Sequence, residues 1–178
     1  MNVLIIILTV IASLIALLLI LALFAKKAYS ISREISIHKP KQQVFDYVRM
    51  LKNQDHYSKW VMTDPNKKTT FRGIDGTVGF VYAWDGNKQA GAGEHEIKKI
   101  KDGERLESEV RFVRPFAGTA DLFMSTSAIG DNQTLVKWGF SSKMKYPLNV
   151  MLLLMNMEKM MGKDMEISLQ NLKKIMEK

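Results

Sequence analysis

The amino-acid sequence predicts an α+β fold: a curved antiparallel β-sheet wrapped around one long C-terminal α-helix, preceded by one transmembrane helix. Three observations predict it. Residues 3–24 form an uninterrupted apolar run, residues of roughly 69–143 alternate apolar and polar between turn signals, and residues 147–178 carry an apolar stripe at spacings of three and four. The 178 residues therefore divide into 1–27, an N-terminal membrane anchor with its basic flank, and 28–178, a single domain of ordinary size.

The run VLIIILTVIASLIALLLILALF contains no charge, and only Thr9 and Ser13 are polar. At 1.5 Å rise per residue it spans ~33 Å, against a hydrocarbon core of ~30 Å. A cleaved signal peptide would show a positive n-region, a shorter apolar core and a small-x-small cleavage site. Here no basic residue precedes the run, and Leu23 stands where a small residue is needed before Ala25. Lys26, Lys27 and Arg33 flank the helix on its C-terminal side, so the positive-inside rule places the following domain in the cytoplasm of a single-pass membrane protein. These cations would lie against anionic headgroups, which makes membrane lipid an expected partner.

The soluble part opens with the strand-like SISREISIH, in which Ile31, Ile35 and Ile37 nearly alternate. Pro40 suits a first helical turn, and Val44, Phe45, Val48 and Leu51 then share a helical face. A short second helix is expected to carry His56, Tyr57 and Trp60. Turn signals follow at Asp75-Gly76, Asp85-Gly86-Asn87, Asp102-Gly103 and Gly130-Asp131-Asn132. Between them, Val78, Phe80, Tyr82 and Trp84 share one strand face. Leu106, Ser108, Val110 and Phe112 share another, with Arg105, Glu107, Glu109 and Arg111 opposite. Thr134, Val136, Trp138 and Phe140 share a third. Residues 119–129 leave the facing open: Asp121 argues that Leu122 and Met124 point inward, and Phe123 argues the reverse. Finally, Val150, Leu154, Met157, Met161, Met165, Leu169, Leu172 and Met176 make one continuous stripe of nearly eight helical turns. Only this helix is large enough to cover the apolar face of the sheet, and a strongly curved sheet closing on it leaves a cavity.

Several chemistries are excluded. Cysteine is absent, which removes disulfides, thiolate metal sites and a cysteine nucleophile. The three histidines, at 38, 56 and 95, fall in different elements without metal-ligand spacing. No G-x-S-x-G elbow or phosphate-binding glycine loop occurs, and the glycines beside strands read as bulges and bends. The net charge of +8 is partly explained by the membrane flank, and no basic stripe interleaved with aromatics points to nucleic acid. No cofactor or metal is expected. Glu94 and Glu96 share a strand face and read as a solvated pair rather than a catalytic one.

The motifs ISIHKPKQQVFDY (35–47), YSKWVMTDP (57–65), WDGNKQAGAGE (84–94), FVRP (112–115), TLVKW (134–138) and MMGKDMEISLQNLK (160–173) occur in an order and spacing that resemble the SRPBCC, or START-like helix-grip, superfamily. Within it, the chain most resembles the bacterial polyketide cyclase/dehydrase and lipid transport group. The resemblance covers residues 30–178, and the anchor lies outside it. It implies a sheet wrapped around a C-terminal helix with a hydrophobic tunnel between them, used by members for lipids, sterols, quinones or polyketides. It implies no shared catalytic motif.

The candidate pocket lining combines the inward strand residues with the helix stripe: Phe80, Tyr82, Trp84, His95, Val110, Phe112, Trp138, Phe140, Leu154, Met157 and Met161. Aromatic and Met residues of this kind also form ordinary cores. The concentration of Met on one helix suits a wall that adapts to varied apolar ligands. The expected function is a membrane-anchored module that binds a small hydrophobic ligand such as a lipid, fatty acid, quinone or isoprenoid. The alternative is a cyclase or dehydrase with His95, Tyr82 or a carboxylate as general acid/base in the same cavity. The sequence identifies no catalytic residue and no protein partner.

Overall fold

A computed structural model describes residues 2–178. The first helix, α1 (Val3–Phe24), has only Ala22 buried and is long and apolar enough to cross a membrane. Strand β1 (Ala28–Ile37) follows after three residues, then α2 (Lys41–Val48), a turn of 3-10 helix at Leu51–Asn53, α3 (Gln54–Tyr57) and a second such turn at Val61–Thr63. Strands β2 (Lys68–Arg72), β3 (Val81–Asp85), β4 (Ala92–Lys101), β5 (Arg105–Arg114), β6 (Gly118–Gly130) and β7 (Gln133–Lys143) come next. A 3-10 turn at Leu148–Val150, α4 (Met151–Leu154) and α5 (Met157–Met176) complete the chain.

All seven strands form one antiparallel sheet in the order β1-β7-β6-β5-β4-β3-β2. Consecutive hairpins build β2 through β7, and β1 closes the meander by pairing with β7. The alternation in the sequence translates directly into two faces. Leu106, Ser108 and Val110 are buried on the inner face, while Arg105, Glu107, Glu109 and Arg111 lie on the outer one. The open question at β6 resolves with Leu122 and Met124 inside and Phe123 outside. Phe123 has its own outer site: its ring covers Gly139 of β7, where a Cβ would overlap it, and carries the Arg105 guanidinium 3.9 Å above its centroid.

Helix α5 lies along β1 and against α3, burying Met165, Ser168, Leu169, Leu172 and Met176. The predicted continuous helix of nearly eight turns is broken. Met155 and Asn156 leave the helical conformation, and the Asn156 side chain accepts a hydrogen bond from Lys159 N–H at 2.9 Å, starting α5 anew. A capping Asn satisfies one of the free amides of a first turn, which favours a helix start over a helix interior. A second correction concerns coverage. Helix α5 does not cover the sheet alone, because α2 buries Val44, Phe45 and Val48, and the segment from Leu51 to Asp64 closes the β3–β5 side.

Candidate functional site

Between the inner face of the sheet and these helices lies a cavity of about 320 Å³. Its sheet wall is built by Tyr82 and Trp84 of β3, His95 of β4, Val110 and Phe112 of β5, Leu122 of β6, and Trp138 and Phe140 of β7. Its roof is built by Leu51, Gln54, Ser58, Trp60 and Val61, together with Met161 of α5. Gln89, Ala90, Arg114 and Pro115 form the rim, and three of them are exposed while the deeper residues are mostly buried. The cavity therefore opens at the end of the sheet that carries the β3–β4 and β5–β6 turns.

The aromatic walls hold one another in place. Trp60 stands edge-on to Trp138 at 5.4 Å and to Phe140 at 5.8 Å between centroids, and Trp84 stands edge-on to Phe112 at 6.2 Å. The Trp84 ring crosses Gly93 of the neighbouring strand, where a Cβ would come within 2.6 Å of it, and its Nε1 donates to the Ala90 carbonyl at 3.1 Å. Gly93 thus gives Trp84 room, beside a register shift between Ala92 and Gly93. The roof is pinned to α5. Lys59 N–H donates to Ser168 Oγ at 2.9 Å, Trp60 Nε1 donates to Asp164 Oδ2 at 3.2 Å, and Lys59 Nζ pairs with Asp164. Asp64 joins roof to rim by accepting from Asn87 N–H at 2.8 Å.

Polar groups enter this apolar lining at few points. His95 Nε2 lies 2.8 Å from Ser108 Oγ, and burial pushes the imidazole down to about 4. At neutral pH the ring is uncharged and a weak base. The Tyr82 hydroxyl donates to Asp55 Oδ1 at 2.8 Å, and burial, then the neighbouring carboxylate, holds it above the usual tyrosine range. Asp55 in turn pairs with Lys67 at 2.8 Å. Ser58 Oγ is buried with no protein partner. Among the described residues, no group of three or more His, Asp or Glu is arranged to hold a metal ion.

Tyr82, Trp84, His95, Val110, Phe112, Trp138, Phe140 and Met161, all singled out from the sequence, meet around this cavity. Three others do not. Phe80 precedes β3 and packs with Leu51, Tyr82, Ile97 and Leu106 in a separate cluster, stacked 6.2 Å from Phe71. Val78, placed with it on a strand, is exposed in the preceding turn. Leu154 lies in α4 and is 75% exposed, because the helix break removes it from the stripe. Met157 is half-buried against the main core rather than along the cavity.

Arg33 also departs from its expected place at the lipid headgroups. Its guanidinium is engaged by α5, with Nη1 to Glu158 and Nε to Glu166, both at 2.6 Å. Those carboxylates hold it more firmly protonated than an ordinary arginine. Lys26 and Lys27 are exposed next to α1. Sequence reasoning missed Gln54, Ser58 and Trp60 as lining residues. The motif YSKWVMTDP contains two of them, and Gln54 lies one helical turn before Ser58.

No protein-family model matches the chain, and no curated protein matches it. Solved structures do match. Truncated norcoclaurine synthase from Thalictrum flavum superposes with a TM-score of 0.62 at 11% identity, over 83% of this chain and 92% of that one. The Aha1 dimer from Colwellia psychrerythraea gives 0.58 at 14% identity, over 84% and 96%. A Chromobacterium violaceum protein gives 0.58 at 12% identity, over 84% and 97%. At these identities the likeness concerns architecture: a seven-stranded antiparallel sheet gripping a C-terminal helix, preceded in this chain by an apolar N-terminal helix, is a helix-grip fold.

Proposed function

We propose that the protein is a membrane-tethered binding module for a small, mainly apolar ligand carrying a neutral hydrogen-bonding group. The observation that carries this reading is the cavity of about 320 Å³ walled by Trp84, Phe112, Trp138, Phe140 and Met161. That size falls at the lower end of ligand pockets, and apolar walls with few polar groups are their usual make-up. Ser58 Oγ supplies an unpartnered hydroxyl in such a wall, and a buried hydroxyl without a partner costs about 1–3 kcal/mol until a ligand group satisfies it. The neutral His95–Ser108 pair adds dipoles without charge. Lipids, quinones and isoprenoids fit this chemistry. Helix α1 would span the membrane, with the Lys26 and Lys27 flank on the cytoplasmic side, and hold the cavity where such molecules are concentrated.

The test is native mass spectrometry of the full-length protein released from bilayer nanodiscs made with lipids of its expression host. A bound small molecule should accompany the wild type and be lost from Met161→Trp, which fills the cavity and leaves the melting temperature within a few degrees. Met165→Trp, at a fully buried position, should instead overpack the core at a cost of about 1–3 kcal/mol. Equal destabilisation by both substitutions, with no adduct on the wild type, would make the cavity wall an ordinary core.

A further inference from the structure

We infer that the rim of the cavity is itself a membrane-inserting surface, so that the mouth opens into the lipid bilayer rather than into water. This rests on the membrane-tethering reading above. The sheet register carries the argument. Ala28, the first residue of β1, pairs with Lys143 at the end of β7, and Tyr29 pairs with Ser142. Ser142 pairs with Ala120 of β6, Gly118 pairs with Phe112 of β5, and Phe112 pairs with Gly93 near the start of β4. The exit of α1, the β3–β4 turn and the β5–β6 turn therefore share one end of the sheet, and that is the end where the cavity opens.

The link between α1 and the domain is short and fixed. Four peptide steps separate Phe24 from Ala28, so β1 starts within about 15 Å of the helix end. Asn149, wholly buried, donates from Nδ2 to the carbonyls of Ala22 at 2.6 Å and Ala25 at 3.2 Å. These are carbonyls that a helix C-terminus leaves unsatisfied, so the domain caps its own anchor and cannot swing freely on it. A bilayer around α1 then meets this end of the domain.

That end is dressed for lipid. Phe116, on the β5–β6 turn, is 69% exposed, and Val113, near the end of β5, is 63% exposed. Leu148, Leu153 and Leu154, flanking the Asn149 latch, are 49%, 55% and 75% exposed. Leu148 belongs to the 3-10 turn that packs on α1, so this apolar surface begins beside the spanning helix, where a bilayer would cover it. Charge agrees: Lys26, Lys27, Lys143 and Lys145 are exposed and brought together by the Ala28–Lys143 pairing and by Met144 N–H donating to Lys27 C=O. Among the described residues none of the four is in an ion pair, which leaves a cationic collar for anionic headgroups at about 1 kcal/mol each.

Because the chain has no cysteine, single-cysteine variants report unambiguous depths. Phe116→Cys, Leu154→Cys, Leu14→Cys and Asp131→Cys would be nitroxide-labelled in the full-length protein and reconstituted in vesicles of phosphatidylglycerol and phosphatidylethanolamine. Collisional access to oxygen and to a water-soluble nickel chelate gives the depth of each label. The labels at 116 and 154 should favour oxygen over nickel severalfold, at a depth shallower than 14, and the label at 131, in the β6–β7 turn at the opposite end of the sheet, should favour nickel. If 116 and 154 match 131 while 14 stays in hydrocarbon, the rim is in water and the inference is overturned with the tether intact. If 14 itself favours nickel, the tether fails, and the inference with it.

Discussion

The inner face of the sheet is filled at one end and hollow at the other, although both ends are made from the same alternating apolar residues. At the end far from α1, α2 inserts Val44, Phe45 and Val48, and α5 inserts Leu169 and Leu172, all of them 1% exposed or less. At the near end, the roof is the irregular segment from Leu51 to Thr63 and the first turns of α5, and Met161 faces open space. The cause lies in where helices start. Asn156 restarts the C-terminal helix at Met157 and turns α4 aside, leaving Leu153 and Leu154 exposed instead of filling the near end. Burial alone therefore does not separate a core from a cavity wall. What separates them is whether a side chain from the opposing layer fills the space in between.

The largest expected effect comes from truncating one side chain at each end. Leu172→Ala removes a fully buried group from close packing and should cost about 3–4 kcal/mol, the transfer of its methyl groups plus the new void. Phe112→Ala removes a larger ring, but one that is half-buried and already faces the cavity, and it should cost less than about 2 kcal/mol. Urea unfolding of the full chain in detergent micelles measures both. Equal losses at the two positions would erase the distinction between the ends.

Much of this comparison was open to sequence reasoning, and the remainder has identifiable causes. Period-two alternation placed His95, Val110, Phe112, Trp138 and Phe140 on the inner face, because a strand side chain has only two directions. The same rule failed for Phe80. The turn at Asp75-Gly76 extends farther than its signal suggests, and β3 begins only at Val81. The three-four stripe correctly grouped Met161, Met165, Leu169, Leu172 and Met176, and then ran through Asn156 into Leu154, because periodicity does not register a cap inside a pattern. Arg33 looked like a membrane flank because its partners, Glu158 and Glu166, lie more than 120 residues away. The roof residues Gln54, Ser58 and Trp60 belong to short irregular elements, where no period exists to read.

A smaller effect should appear with pH, and it belongs to the hollow end. Burial holds the His95 imidazole at about 4, against 6.5 when exposed. Between those values the unfolded chain binds a proton that the folded chain does not. Stability is therefore complete above about pH 6.5 and declines as the pH falls towards 4. Glu177, held down to about 2 chiefly by the Lys173 ammonium, adds its own loss only below about 4.5. The window from 6.5 to 4.5 should thus show a decline of about 2–3 kcal/mol that His95→Gln largely abolishes. Denaturation midpoints at four pH values in this window provide the measurement. An unchanged slope in the variant would mean that water enters the cavity freely enough to solvate the charged ring.

The smallest effect concerns the opposite face of the same strands. Arg111 of β5 reaches Glu96 and Glu109 from Nη1, both at 2.6 Å, and Glu94 from Nη2 at 3.0 Å. This outer cluster extends to Arg72, 2.9 Å from Glu94, and to Lys98, 3.2 Å from Glu96. The three carboxylates hold Arg111 well above the ordinary arginine range, and Arg111 in turn keeps Glu94 and Glu96 below the ordinary carboxylate range. Water reaches all of these groups, so it screens their attraction, and Arg72 and Lys98 remain as partial partners when Arg111 is removed. Arg111→Met should therefore cost only about 0.5–1 kcal/mol, and the loss should shrink towards zero near 1 M salt, where the screening length falls to about 3 Å. Urea midpoints at low and high salt test this. A loss above about 2 kcal/mol that persisted in salt would make the ionic outer face as important to the sheet as its filled inner end, and the contrast between layers would have to be drawn across the sheet rather than along it.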